Sequence, residues 1–282
     1  MRKLKTWMVR IAVLSAVGIG SMVSTPSAAV AGECSLGICG KVYNNASSGS
    51  PSIEIVGGAD GWCWGDNKPR YAPDPFTCTH SHYYVPVGGQ SNSYTPDADA
   101  FRVPAGCMVK YDVLGGAGGS ALISKIQNNW LRVEDRRGKS TSKWIKLSND
   151  NWVSIVSYSC GSARTPLYQY TWADARGYQD QWCAQDGTST TTGGGERCAQ
   201  DGWLWAARNY FFCKIRGAAV TGNGGATNYW WLLTDLDSTM DSTRDGRAFV
   251  SAFYLSGGPN DTDNNIAKYQ KADGTWEWFP DC

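Results

Sequence analysis

The sequence predicts an all-β protein built from two small disulfide-rich domains. Three observations lead there. The chain holds ten cysteines, and none stands before Cys34. It is rich in glycine and in large aromatics, with 33 Gly, 14 Trp and 14 Tyr, and its short apolar runs are separated by turn residues, as in strands joined by tight loops. Beyond the leader, no stretch keeps apolar residues at helical spacing for three turns.

The leader sets the address. Arg2, Lys3, Lys5 and Arg10 give a positive start with no acidic residue, and Ile11 to Val23 is mostly apolar but broken by Gly18 and Gly20. Ala29-Val30-Ala31 is an A-x-A cleavage signal, so residues 1–31 read as a secretory signal peptide and the mature chain starts at Gly32. The leader carries four of the 26 basic residues, which leaves 22 against 25 acidic groups, a mature net charge of −3. A mildly acidic chain has no electrostatic attraction for nucleic acid or anionic membranes. The expected product is therefore secreted and extracellular, with no membrane association after cleavage, and monomeric.

An exported chain with an even number of cysteines implies a disulfide framework. The cysteines are Cys34, Cys39, Cys63, Cys78, Cys107, Cys160, Cys183, Cys198, Cys213 and Cys282. Zinc would want tight pairs with histidines close by, and only Cys34 and Cys39 are near neighbours, so no metal or other cofactor is expected. Six cysteines lie up to Cys160 and four lie from Cys183, both even numbers, so each part can close its own bridges. The break Gly161–Pro166 then separates an N-terminal domain, 32–160, from a C-terminal domain, 161–282. Proximity alone pairs Cys183 with Cys198 across the low-complexity loop Thr188–Gly195.

The N-terminal domain is expected to hold seven strands: Lys41–Tyr43, Ile53–Val56, Tyr83–Val87, Ala100–Val103, Met108–Val113, Lys143–Leu147 and Trp152–Tyr158. Between them stand turn signals such as Gly57-Gly58, Gly88-Gly89 and Pro104-Ala105-Gly106. In the C-terminal domain, Tyr210–Ile215, Tyr229–Thr234, Arg247–Val250 and Ala252–Leu255 read as strands. The pentapeptide Cys183–Gly187 recurs as Cys198–Gly202, two copies that read as similar disulfide-linked turns.

One stretch carries a resemblance. NYFFCKIRGAAVTGNGGATNYWWLLTDLD from Asn209, followed by GRAFVSAFYL to Leu255, resembles the second half of the bacterial SH3-like domains of secreted actinobacterial proteins. The shared order is a cysteine-bearing strand at Cys213, the turn Val220-Thr221-Gly222, the Trp230-Trp231 strand and the closing Gly246–Leu255 segment. About 45 residues are covered, and the family's first half has no clear counterpart upstream. The resemblance implies an SH3-like barrel that binds cell-wall peptide or polysaccharide without catalysis. DADAFRVPAGC (Asp97–Cys107) is similar to small secreted β-domains of actinobacterial proteins, with no function attached.

Flat aromatic rings stack on sugar faces or peptide backbones at small entropic cost. The binding candidates are accordingly Tyr229, Trp230, Trp231, Phe253 and Tyr254. Neighbours on a strand face opposite ways, so Trp230 and Trp231 cannot both point into one core. Catalytic patterns are sparse. His80 and His82 read as solvated loop residues, no G-x-S-x-G elbow occurs, and the even cysteine count leaves no thiol for a Cys-His pair. Asp97 with Asp99, and Asp235 with Asp237, read as acids at turns that are solvated or bind Ca²⁺ weakly. Asp261–Asn265 starts like a calcium loop but has Ile266 where glycine is required. The sequence thus points to a secreted non-catalytic binding protein whose partner is a cell-wall polymer. A secreted protein-interaction or inhibitor domain with its tip at Gly57–Cys78 is the alternative, and a cell-wall hydrolase or its accessory is third.

Overall fold

Alternation of apolar and polar residues converts almost every predicted run into a strand. The computed structural model describes residues 39–57, 71–73, 81–95, 97–115, 131–147, 151–182, 200–222, 225–240, 245–256 and 267–282. The first half contains β1 (Lys41–Asn44), β2 (Ile53–Gly57), β3 (Tyr71–Pro73), β4 (Ser81–Val85), β5 (Ala100–Val103), β6 (Cys107–Gly115), β7 (Leu131–Asp135), β8 (Lys143–Lys146) and β9 (Asn151–Cys160). The second half contains β10 (Leu167–Tyr170), β11 (Ala175–Tyr178), β12 (Gln200–Leu204), β13 (Arg208–Phe211), β14 (Cys213–Thr221), β15 (Thr227–Asp235), β16 (Ser238–Thr239), β17 (Arg247–Ser251), β18 (Lys268–Gln270) and β19 (Trp276–Trp278). Among the described residues the only other regular elements are single 3₁₀ turns, so the class is all-β. Ala252–Tyr254, expected as a strand, is one of those turns, capped by the Ser251 hydroxyl accepting from Phe253 N. Tyr210–Ile215 divides at Phe212 into β13 and β14, which belong to different sheets.

The first half is a sandwich. A four-stranded sheet, β1-β9-β6-β7, faces a five-stranded sheet, β3-β8-β5-β2-β4. Val42, Ile53, Ile55, Phe101, Tyr111, Ile145 and Val153 fill the space between them, the inward members of each alternating strand. Asp97–Asp99 threads between two glycines. Ala98 N donates to Gly40 O at 3.0 Å and Asp99 N donates to Val56 O at 2.8 Å. A Cβ on Gly40 would stand 2.3 Å from Ala98 O, and one on Gly57 would stand 2.0 Å from Asp97 O, so only glycine permits the approach.

The second half centres on a six-stranded sheet of order β14-β15-β17-β11-β12-β16. The expected closed barrel does not form, and the sheet is open. β14 cannot meet β16 because its outer edge is already taken. Lys214 N donates to Pro280 O at 2.7 Å and Cys282 N donates to Lys214 O at 2.8 Å. The Cys213–Cys282 bridge fixes this tail in place. A second bridge, Cys107–Cys160, joins residues paired across β6 and β9. Cys39 is disulfide-bonded as well, and the suggested pair Cys183–Cys198 lies outside the described residues.

The central sheet is buried on both faces, which explains the unbroken bulky run of β15. Leu232 and Val250 pack with Ala175, Phe211, Leu255 and Phe279 on one side. Trp231, Leu233 and Phe249 pack on the other with Met108 and Val133, which come from the first half. The two halves accordingly share a core, and Ala31–Cys282 forms one compact unit.

Around that shared core runs a seam of paired charges supplied by β7 and the turn after it. Arg132 pairs with Asp180, and Arg136, 1 % exposed, pairs with Asp245. Asp235 receives Arg247 at 2.9 Å and Lys139 at 2.8 Å. Arg247 also donates to the carbonyls of Asp135 at 3.3 Å and Arg137 at 3.1 Å. Burial pushes the Asp235 carboxyl upward, but its hydrogen bonds and charge interactions with Arg247 and Lys139 outweigh this and hold it below the usual carboxylate range.

Two outcomes follow. In the chain-entropy treatment, a bridge spanning 69 residues contributes about 4 kcal/mol, so Cys213→Ser with Cys282→Ser lowers the free energy of unfolding in urea by about 3–4 kcal/mol. Asp235→Asn costs about 2 kcal/mol at pH 7, less than for a fully buried pair because the carboxyl is partly screened by solvent. A depressed carboxylate stabilises above its unfolded pKa and loses that effect as pH falls through the folded one. The difference between wild type and Asp235→Asn therefore shrinks below pH about 4, as urea titrations at pH 7 and pH 3 will read.

Candidate functional site

The segment Leu167-Tyr-Gln-Tyr-Thr-Trp172 alternates polar and aromatic residues, so β10 and the two residues after it send Gln169 and Thr171 to one side and the rings to the other. Gln169 and Thr171 are buried, and both are satisfied: Gln169 Nε2 donates to Ser256 O at 2.9 Å, and Thr171 Oγ1 accepts from Asn209 Nδ2 at 2.9 Å. Tyr168, Tyr170 and Trp172 face out, 45 %, 56 % and 50 % exposed.

The neighbouring strand β13 widens the face. Its Tyr210 and Arg208 stand opposite Tyr168 and Tyr170. The Arg208 guanidinium lies 4.8 Å from the centre of the Tyr168 ring, a cation–π distance. Tyr168 and Tyr210 meet edge to face at 6.3 Å. Tyr210 donates its hydroxyl to Asp235 at 3.2 Å, and burial together with that carboxylate pushes the phenol pKa up. At the other end, Trp172 Nε1 donates to Phe253 O at 3.0 Å, and its ring centre lies 5.8 Å from those of Phe253 and Tyr254. The result is a row of rings from Tyr210 through Tyr168, Tyr170 and Trp172 to Phe253 and Tyr254.

The structure separates the five expected binding residues. Phe253 and Tyr254 join the end of this row. Phe253 is seated on Gly222, where a Cβ would come within 2.5 Å of its ring. Tyr229 is exposed on β15, beneath Arg216 at 5.4 Å. Trp230 is half-buried against Trp278, with Lys214 Nζ 4.6 Å from its ring centre. Trp231 is 1 % exposed and donates from Nε1 to Ala218 O at 2.9 Å, so it belongs to the core. Trp230 and Trp231 therefore face opposite sides of β15, Trp231 within one core cluster and Trp230 packed against the other. Sequence reasoning passed over Tyr168, Tyr170 and Trp172, although aromatics at every second position from 168 to 172 signalled them.

The acidic pairs are structural. Asp97 and Asp99 are buried rather than solvated. Asp97 accepts Gly40 N at 2.7 Å, and burial raises its pKa against that hydrogen bond. Asp235 lies in the charge seam, and Asp237 accepts Trp205 N at 2.7 Å. His82 sits on β4, not in a loop, with Nδ1 2.9 Å from Glu54 Oε1 and its ring edge-on to Trp144 at 5.5 Å. His80, the Asp261–Asn265 segment and most of the Gly57–Cys78 tip lie outside the described residues. Among the described residues, no group of three or more His, Cys, Asp or Glu side chains is placed to hold a metal, and no helix is long and apolar enough to cross a membrane.

No protein family, curated protein or solved structure matches the chain.

The row and the core respond differently to truncation. Tyr168→Ala, Tyr170→Ala and Trp172→Ala each lower stability by less than about 1 kcal/mol, since exposed rings bury little area. Trp231→Ala costs about 3–5 kcal/mol through the cavity it leaves. Thermal unfolding of the four purified variants reads the contrast.

Proposed function

We propose that the protein is a secreted, non-catalytic binding protein that holds a cell-wall polymer, peptide or polysaccharide, against the aromatic surface of its second half. The observation that carries this reading is the row of exposed rings Tyr168, Tyr170 and Trp172 on β10 and just past it, flanked by the half-buried Tyr210 of β13. Exposed aromatics in line cost hydration free energy in the free protein, and a bound polymer recovers it. The disulfides support an oxidising location, and the A-x-A leader supplies the route to it. The resemblance of Asn209–Leu255 to SH3-like domains of secreted actinobacterial proteins points to the same class of ligand, although the open sheet means that any groove differs from that of a closed barrel.

The acidic pairs have structural duties, which favours binding over hydrolysis. A glycosidase needs two carboxyl groups facing each other across a sugar-sized cleft, and Asp97, Asp235 and Asp237 are each engaged in holding backbone or cations.

The oxidised chain 32–282 should sediment with purified peptidoglycan, while a reference protein of similar charge stays in the supernatant. The sacculus should release no soluble fragments during the incubation. Absence of pelleting would remove the cell-wall assignment, and release of fragments would replace binding with hydrolysis.

A further inference from the structure

Resting on the binding role proposed above, we infer that the ligand is a linear polysaccharide bearing acidic groups, laid along β10 over Tyr168, Tyr170 and Trp172, with Arg208 pairing its carboxylates. The row itself gives the shape. Alternate residues of a strand stand about 6.6 Å apart, so the three rings extend over about 13 Å. That is longer than one sugar and has no end wall, which suits the interior of a chain. A pyranose ring offers an apolar C–H face with hydroxyls at its rim, so it stacks on a flat ring while staying hydrated at its edges. Tyrosine adds a hydroxyl that can bond to that rim.

Peptide addition to the strand is closed off by the backbone. A peptide that extends a sheet requires an open strand edge. β10 pairs with β13 on one side from Leu167 to Tyr170. On the other side, Tyr170 O accepts from Ser256 N at 2.8 Å, and Trp172 N donates to Tyr254 O at 2.9 Å. From Tyr170 to Trp172 both edges are used, and what the strand still offers there is its ring-bearing face. That face presents side chains at regular intervals to a partner whose own repeat is regular.

The charge on the face selects among polysaccharides. Arg208 is exposed, stands opposite Tyr170 and lies over Tyr168, so its guanidinium is held beside the path of the chain. A guanidinium pairs well with a carboxylate, in a fork geometry that a neutral sugar cannot use. The mature chain is net negative overall, so general attraction to polyanions is absent and the selection is local.

Affinity electrophoresis of the oxidised chain 32–282 tests this, through gels containing polygalacturonate or alginate as acidic glycans and hydroxyethyl cellulose as a neutral one. Retention is expected in the acidic gels. Tyr170→Ala or Trp172→Ala should weaken it at least fivefold, and the double variant should abolish it. Arg208→Gln should lose the preference for acidic over neutral glycan. Tyr84→Ala, an exposed ring in the first half, should change nothing, and circular dichroism confirms that each variant is folded. Retention indifferent to the ring variants would overturn the inference. So would loss of all glycan retention alongside ring-dependent binding of a proline-rich peptide or of anionic phospholipid vesicles. If the double variant still sediments with peptidoglycan, the binding role stands and the β10 path falls. Ring-dependent retention in acidic gels without sedimentation keeps the path and removes the cell-wall assignment.

Discussion

Burial of one sheet on both of its faces is the constraint that organises this molecule. β15 and β17 carry large apolar side chains in both directions, and neither set can be left in water. One face is covered by the two-stranded ribbons β10-β13 and β18-β19, through Phe211, Ala267 and Phe279. The other is covered by the first half, through Met108 and Val133. The ribbon that bears the exposed rings is therefore anchored from beneath by its own inward residues. A rigid platform loses little conformational entropy when a ligand arrives, which is what aromatic recognition requires.

A shared apolar contact alone would let the halves slide. The charge seam gives it a register. Leu131–Lys139 supplies Arg132, Arg136 and Lys139, each meeting an acid of the second half, while Arg247 reaches back to two carbonyls of that turn. Such pairs add little net energy once desolvation is counted, yet any displaced arrangement leaves a charge buried without its partner. Arg136, whose guanidinium has no exit to water, contributes specificity of docking in this way.

Much of the framework was legible in the sequence, and the reasons divide by physics. Ile53–Val56, Ala100–Val103 and Trp152–Tyr158 were legible as strands because each is a short run rich in β-branched and aromatic residues bounded by turn residues, and each supplies side chains to the sandwich core. β10 was passed over because its inward residues, Gln169 and Thr171, are polar, and a hydrophobic search is blind to a strand whose buried side is satisfied by hydrogen bonds. β7 was missed for a related reason: Arg132 and Glu134 look solvated until their partners are known, Asp180 in the distant second half for Arg132 and Lys143 on β8 for Glu134. The acids Asp97 and Asp99 misled in the same way, since burial of a carboxylate depends on a backbone donor such as Gly40 N that no local pattern shows. That the six-stranded sheet does not close depends on residues 280–282 taking the β14 edge, which cysteine counting does not reveal.

The seating of those last residues has a meaning apart from stability. A strand edge with free N–H and C=O groups invites the same edge of another molecule. Along β14 that invitation is withdrawn by Lys214 bonding to Pro280 and Cys282, and the bridge at Cys213 makes the withdrawal covalent. Under reducing conditions the tail is free to leave, and the backbone N–H and C=O of Lys214 lose the partners it supplies. Oxidation then acts as a guard of solitude: it keeps copies of the protein from zipping together along this edge.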